Sequence, residues 1–212
     1  MAQVYRVCNR AGGHRAPLSR APRARGGADN RPMQGIYKAL LVVAIGVTAC
    51  QPALNWREAR SEVHPLVALL PCKPDRGSRD VPMGGATVPL DMLGCEAAGS
   101  MFAVSHVRLA DPSTAGTTLA GWRTAVLANL HAPNAVPTQP FELPGSLALT
   151  QAVRMRTTGQ GPDGQPVAAE AVWFARAGST GVDLFHAVVY APRQDAALGA
   201  AADAFFAGLR FE

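Results

Sequence analysis

No apolar run in this 212-residue chain reaches the ~20 residues that cross a bilayer core, which excludes a polytopic membrane protein. Cysteine is sparse, and four residues are too few for a disulfide-dense mini-scaffold. Charged residues amount to only 17% against 48% apolar, so the chain is not wholly disordered. It carries no internal repeat, and no low-complexity tract beyond residue 32. The length suits one domain, at most two small ones.

Basic charge is missing from most of the chain. Residues 1–49 hold eight basic residues against Asp29 alone, giving +7, and the remaining twelve basic and fourteen acidic residues give −2. The pI of about 9.4 therefore belongs to the N-terminal segment. The rest has no basic stripe to neutralise phosphates, and no nucleic-acid partner is expected.

Recognisable catalytic spacing is also absent. None of His14, His64, His106, His131 and His186 stands at a metal-ligand spacing from another His, Cys or carboxylate. Ser105-His106 lacks a Gly-x-Ser-x-Gly elbow. Gly84-Gly85 and Gly159-Gln160-Gly161 lack the Lys-Ser/Thr and helix of a phosphate loop. The acidic residues are dispersed, with no carboxylate pair for glycoside hydrolysis. No catalytic residue, cofactor or metal is expected. An enzyme alternative needs His106 or His186, which both fall on expected strands and would form an acid/base or metal pair if they met across the sheet. Trp122 and Trp173 either line a pocket between helix and sheet or pack as core. Arg154 and Arg156 share one strand face, expected to be solvated rather than an anion site.

What is present at the N-terminus reads as an address. Residues 1–32, rich in Arg, Ala, Gly and Pro, bury too little surface to offset chain entropy and are expected to be disordered, or untranslated if Met33 is the start. Met33 to Lys38 is a short n-region with one positive charge, and Ala39 to Val47 is an apolar stretch of h-region length. Val47-Thr48-Ala49-Cys50 resembles the lipobox of bacterial lipoproteins. The resemblance implies a signal peptide over 33–49, cleavage between Ala49 and Cys50, diacylglycerol on the Cys50 thiol and an acyl chain such as palmitate on the new amino terminus. Multiple acyl chains make a stable membrane anchor, at ~0.8 kcal/mol per buried CH₂. Gln51, standing where Asp favours inner-membrane retention in that family, points to the outer membrane of a diderm cell. The alternative is an uncleaved single span in the inner membrane, with the Arg-rich arm in the cytoplasm.

With Cys8 in the arm and Cys50 lipidated, Cys72 and Cys95 remain, and an even pair in an exported body predicts one disulfide. Gly84-Gly85 lies midway and suits a turn that brings the two flanking strands together. A loop of about 23 residues predicts roughly 3 kcal/mol of stabilisation.

Residues 50–62 read as a tether and 63–212 as one α+β domain. Leu66 to Cys72 and Thr87 to Cys95 read as strands, with Trp56 marking an earlier short one. Met101 to Leu109 alternates as a half-buried strand. Asp111-Pro112 starts a helix whose face carries Leu119, Trp122, Val126, Leu127 and Leu130, and which Pro133 and Asn134 end. Leu149 to Thr158 and Val167 to Arg176 are strands joined by Gly161-Pro162-Asp163-Gly164. Val182 to Tyr190 is apolar on both faces and should be a covered central strand. A last helix spans about Gln194 to Leu209.

The result is an antiparallel sheet sandwiched with two main helices. Leu66 to Pro71, the mid-chain helix, the Gly-Pro-Asp-Gly hairpin, the strand ending at Tyr190 and the Phe205-Phe206 helix resemble the PsbP-like fold of small exported lipoproteins, over roughly residues 63–212. That resemblance implies a non-enzymatic protein that docks onto larger complexes. The expected function is an envelope lipoprotein facing the periplasm that binds a protein partner or small apolar ligand, a reading that an exposed apolar patch near Trp173 and Phe174 would support.

Overall fold

The computed structural model describes residues 54–132 and 139–212. The expected arm (1–32), the signal peptide (33–49) with Ala49, the lipid site Cys50, and the helix-ending Pro133 and Asn134 all lie outside the described residues.

Val182 to Ala191 offers a bulky or apolar side chain at almost every position, so neither face can be left in water. The strand it forms, β9 (Gly181–Ala191), is buried throughout from Val182. It lies mid-sheet between β5 (Ser100–Leu109) and β8 (Pro166–Gly178), which are almost equally buried. Met101 to Leu109 is thus not half-buried as expected, because both of its faces are covered. Outside this core run β4 (Ala86–Ala97) and the edge strand β3 (Asp75–Met83) on one side. On the other side run β7 (Val153–Gln160) and the two-residue β6 (Gln139–Pro140). The sheet order is β3-β4-β5-β9-β8-β7-β6, antiparallel throughout. β3 has no apolar stripe. It alternates exposed and half-buried side chains, carries Arg76, Arg79 and Asp80, and accepts Pro82, as an edge strand can. Its hairpin with β4 turns through Gly84 and Gly85, at φ +63° and +82°, where a side chain would be strained.

One face of this sheet is covered by α1 (Ala115–Asn129). Asp111 accepts from the Ser113 N–H at 2.9 Å and caps a single 3₁₀ turn, Pro112–Thr114, that leads into α1. Leu119, Trp122 and Val126 face the sheet. The helix stops before Pro133: the His131 N–H bonds the Ala128 carbonyl, the Ala132 N–H reaches the Leu127 carbonyl, and His131 takes φ +49°. This is a Schellman closure with histidine in the usual glycine place.

The opposite face carries α2 (Ala196–Ala207) and a three-stranded sheet. α2 starts at the cap Asp195, which accepts from the Leu198 N–H at 2.9 Å, and buries Leu198, Ala202, Phe205 and Phe206. The small sheet has β2 (Leu66–Leu70) between β1 (Arg57–Arg60) and β10 (Arg210–Phe211). Part of the expected tether is therefore strand, beginning just after Trp56. α2 ends at Ala207, so Leu209 lies beyond it rather than in its last turn. Arg210 donates to Glu58 at 2.7 Å, and Arg60 pairs with Glu212.

The architecture is α+β: α1, the seven-stranded sheet, and a third layer of α2 plus the small sheet. Cys72, just past β2, is bonded to Cys95 on β4 with Cα atoms 5.9 Å apart, joining the two sheets. Among the described residues no helix is long and apolar enough to cross a membrane.

Candidate functional site

Alternation along the strands sends odd-numbered residues of β5 and β8, and even-numbered residues of β9, toward α1. α1 fills only part of the space above them. Between its C-terminal half, the β3–β4 hairpin and the sheet lies a cleft of about 200 Å³. Trp122, Val126 and Leu130 form its helix side, Met83 and Leu90 its hairpin side, and Ser105, His186 and Val188 its floor.

His186 is the unusual member. It stands opposite Ser105 on β5 and opposite Trp173 on β8. Its ring stacks on Trp173 at 4.6 Å and 22°, and Trp122 lies 5.6 Å away. Burial pushes the imidazole down to about 3, so it is uncharged at neutral pH. Its Nε2 has no hydrogen-bond partner among the described residues, and neither has the buried Trp173 Nε1.

A polar cluster occupies the other side of the sheet. Asp183 accepts from Arg108 Nε at 2.7 Å and Nη2 at 3.2 Å, and meets His106 Nε2 at 2.9 Å. Burial alone would raise the Asp183 carboxyl, but the hydrogen bonds with His106 and Arg108 outweigh it and hold it at about 2. As an ionised carboxylate Asp183 only accepts, so His106 Nε2 carries the hydrogen. His106 Nδ1 faces Asp91 at 3.7 Å, beyond hydrogen-bond reach. The His64 ring packs 4.5 Å from that of His106, and its Nδ1 accepts from the Leu66 N–H at 3.2 Å. Burial first, and electrostatic repulsion between the His64 and His106 rings second, push His64 down to about 3.

A second carboxylate is buried under α2. Glu170 is fully inaccessible. It pairs with Arg154 Nη2 at 2.5 Å and Arg156 Nε at 2.9 Å, and Gln194 donates to it at 3.4 Å. Arg154 also bridges to Asp203 on α2 at 2.6 Å. Burial works against the Arg154 charge, yet the hydrogen bonds to Glu170 and Asp203 raise its pKa overall.

These positions correct several expectations. His106 and His186 do not meet, because one faces α2 and the other α1, with the sheet between them; His106 meets His64 instead. Arg154 and Arg156 do not form a wholly solvated face: Arg156 keeps more than half of its side chain exposed, but Arg154 is mostly covered and both pair with Glu170, a buried carboxylate in an otherwise apolar strand. Trp173 and Phe174 are fully buried and offer no exposed patch; among the described residues the only exposed large hydrophobic is Val63. Trp122 does line the cleft, whereas Trp173 lies beneath His186. The His64–His106–Asp183 grouping had no sequence signal, since its members lie far apart along the chain. Among the described residues no group of three or more His, Cys, Asp or Glu could hold a metal ion.

No family model matches the chain, and no curated protein matches it. Among solved structures, a Pseudomonas aeruginosa protein of unknown function, described as a candidate regulator, aligns over 65% of this chain and 83% of its own at 14% identity. The TM-score is 0.30, and a likeness that distant carries no argument.

Proposed function

We propose that the chain is an exported, lipid-anchored binding protein without catalytic activity, whose body holds a small, mostly apolar ligand in the cleft under α1. The observation that carries the binding reading is that cleft: about 200 Å³, mostly apolar on its helix and hairpin sides apart from Asn129 and Arg79, with a buried histidine in its floor. Binding sites are commonly concave and apolar with few placed polar groups. The export reading is supported by Val47-Thr48-Ala49-Cys50 and by the Cys72–Cys95 bridge, a bond that persists in oxidising compartments. On this reading Cys50 carries the lipid, Gln51 directs it to the outer membrane, and the α+β sandwich is a PsbP-like one.

The test is intact mass of the membrane-extracted protein beside Cys50→Ala, with small molecules released by denaturation measured from both. A chain beginning at Cys50 with acyl mass, absent from the variant, is expected, together with a released apolar compound. A chain retaining residues before Cys50 in the wild type overturns the lipoprotein reading.

A further inference from the structure

The cleft is lined mostly by carbon, with polar groups from Arg79, Ser105, Asn129, Tyr190 and His186 at its border and floor, and the place of His186 among them narrows the ligand. A position stacked on Trp173, with Trp122 close by, would suit phenylalanine. Instead it holds His186, only 4% exposed, with Nε2 unpartnered among the described residues. Leaving a buried polar atom unsatisfied costs about 1–3 kcal/mol, so such an atom calls for a partner.

We infer, building on the binding reading above, that the cleft accepts a small neutral alcohol of about one ring, whose hydroxyl exchanges a hydrogen bond with the His186 imidazole. Size sets the first limit. An apolar cavity of about 150 Å³ accepts benzene, so about 200 Å³ takes one ring and a short substituent. The helix and hairpin sides set the second: Trp122, Val126, Leu130, Met83 and Leu90 present carbon to the ligand body, with Asn129 and Arg79 the polar members of those two sides. The floor sets the third. The imidazole is uncharged at neutral pH and has one donor and one acceptor nitrogen, which suits a hydroxyl better than an ion. Arg79 also borders the cleft, so a carboxylate of the same shape is the natural competitor.

Three probes separate these factors: 4-ethylphenol, ethylbenzene and 4-ethylbenzoate, titrated calorimetrically into the purified full-length protein, His186→Phe and His186→Gln. Wild type should bind 4-ethylphenol at least tenfold tighter than ethylbenzene. His186→Phe should reduce that preference below threefold, and His186→Gln, which keeps polar atoms, should retain part of it. The His186 imidazole ¹⁵N resonances of the wild type should move with 4-ethylphenol and not with ethylbenzene, a readout independent of how the variants fold. Equal affinity for the phenol and the hydrocarbon, a preference that survives His186→Phe, or stationary ¹⁵N resonances overturn the role of His186 and leave the cleft reading intact. Tighter binding of 4-ethylbenzoate overturns it in favour of an anion beside Arg79. No binding of any probe overturns both readings together.

Discussion

Asp183 stands directly opposite Arg108 in the β5–β9 register, yet it also bonds the diagonal neighbour His106 at 2.9 Å. One buried carboxylate thus serves two cations or donors on a neighbouring strand. Because its carboxyl is held at about 2, below the ordinary 3.8, its contribution is complete above about pH 4 and is lost as pH falls through 2. The shift corresponds to about 2 kcal/mol. Asp183→Asn should lower urea-determined stability at pH 7 by about that amount and flatten the decline between pH 4 and 2. An unchanged acid limb would remove the pairing as a source of stability.

The two depressed histidines act at milder pH. His64 and His186 are both held near 3 by burial, whereas an unfolded histidine titrates near 6.5. Their stabilising effect is therefore full above pH 6.5 and is lost as pH falls towards 3. Between pH 6.5 and 4.5 each should cost about 2 kcal/mol. Urea midpoints at those two pH values check this, and His186→Phe should remove about half of the loss.

Glu170 leads to an asymmetric expectation for its two arginines. Arg154 is mostly covered and reaches both Glu170 and Asp203, whereas Arg156 is more than half exposed. Arg154→Met should therefore cost about 3 kcal/mol, as breaking a buried pair does, and Arg156→Met about 1 kcal/mol. Equal costs would mean that the two guanidiniums share the carboxylate evenly.

The Cys72–Cys95 bridge closes a sequence separation of 23 residues, for which chain entropy predicts about 3 kcal/mol. Reduction, or Cys72→Ser with Cys95→Ser, should lower Tm by about 6–12 °C for a body of this size. A shift under 2 °C would mean that packing alone holds the two sheets together.

The central strands, both helices and the bridge were legible because each rests on a local signal. Val182 to Tyr190 is apolar on both faces, Asp111-Pro112 marks a helix start, and two cysteines remain for one exported body. β3 was not legible. An edge strand needs no apolar stripe, Asp75 to Met83 carries none, and among the described residues β4 alone supplies its ladder of hydrogen bonds. The histidine pairing failed for a geometric reason. β5 and β9 each show a histidine, but register alone decides which face each one takes, and Ser105, not His106, lies opposite His186. Glu170 and Asp183 are apolar-strand residues by context, and only the fold brings arginines to them.

β1 and β10 flank the same strand, with Arg210 and Glu58 joined across it, so the first and last strands of the body emerge side by side. They do so in the layer opposite α1. Any leash or fusion at either end is therefore rooted in one layer of the molecule, and the cleft lies on the opposite face of the large sheet. The body can be tied down at both ends, to a surface or within a longer polypeptide, with the large sheet standing between those roots and the cleft.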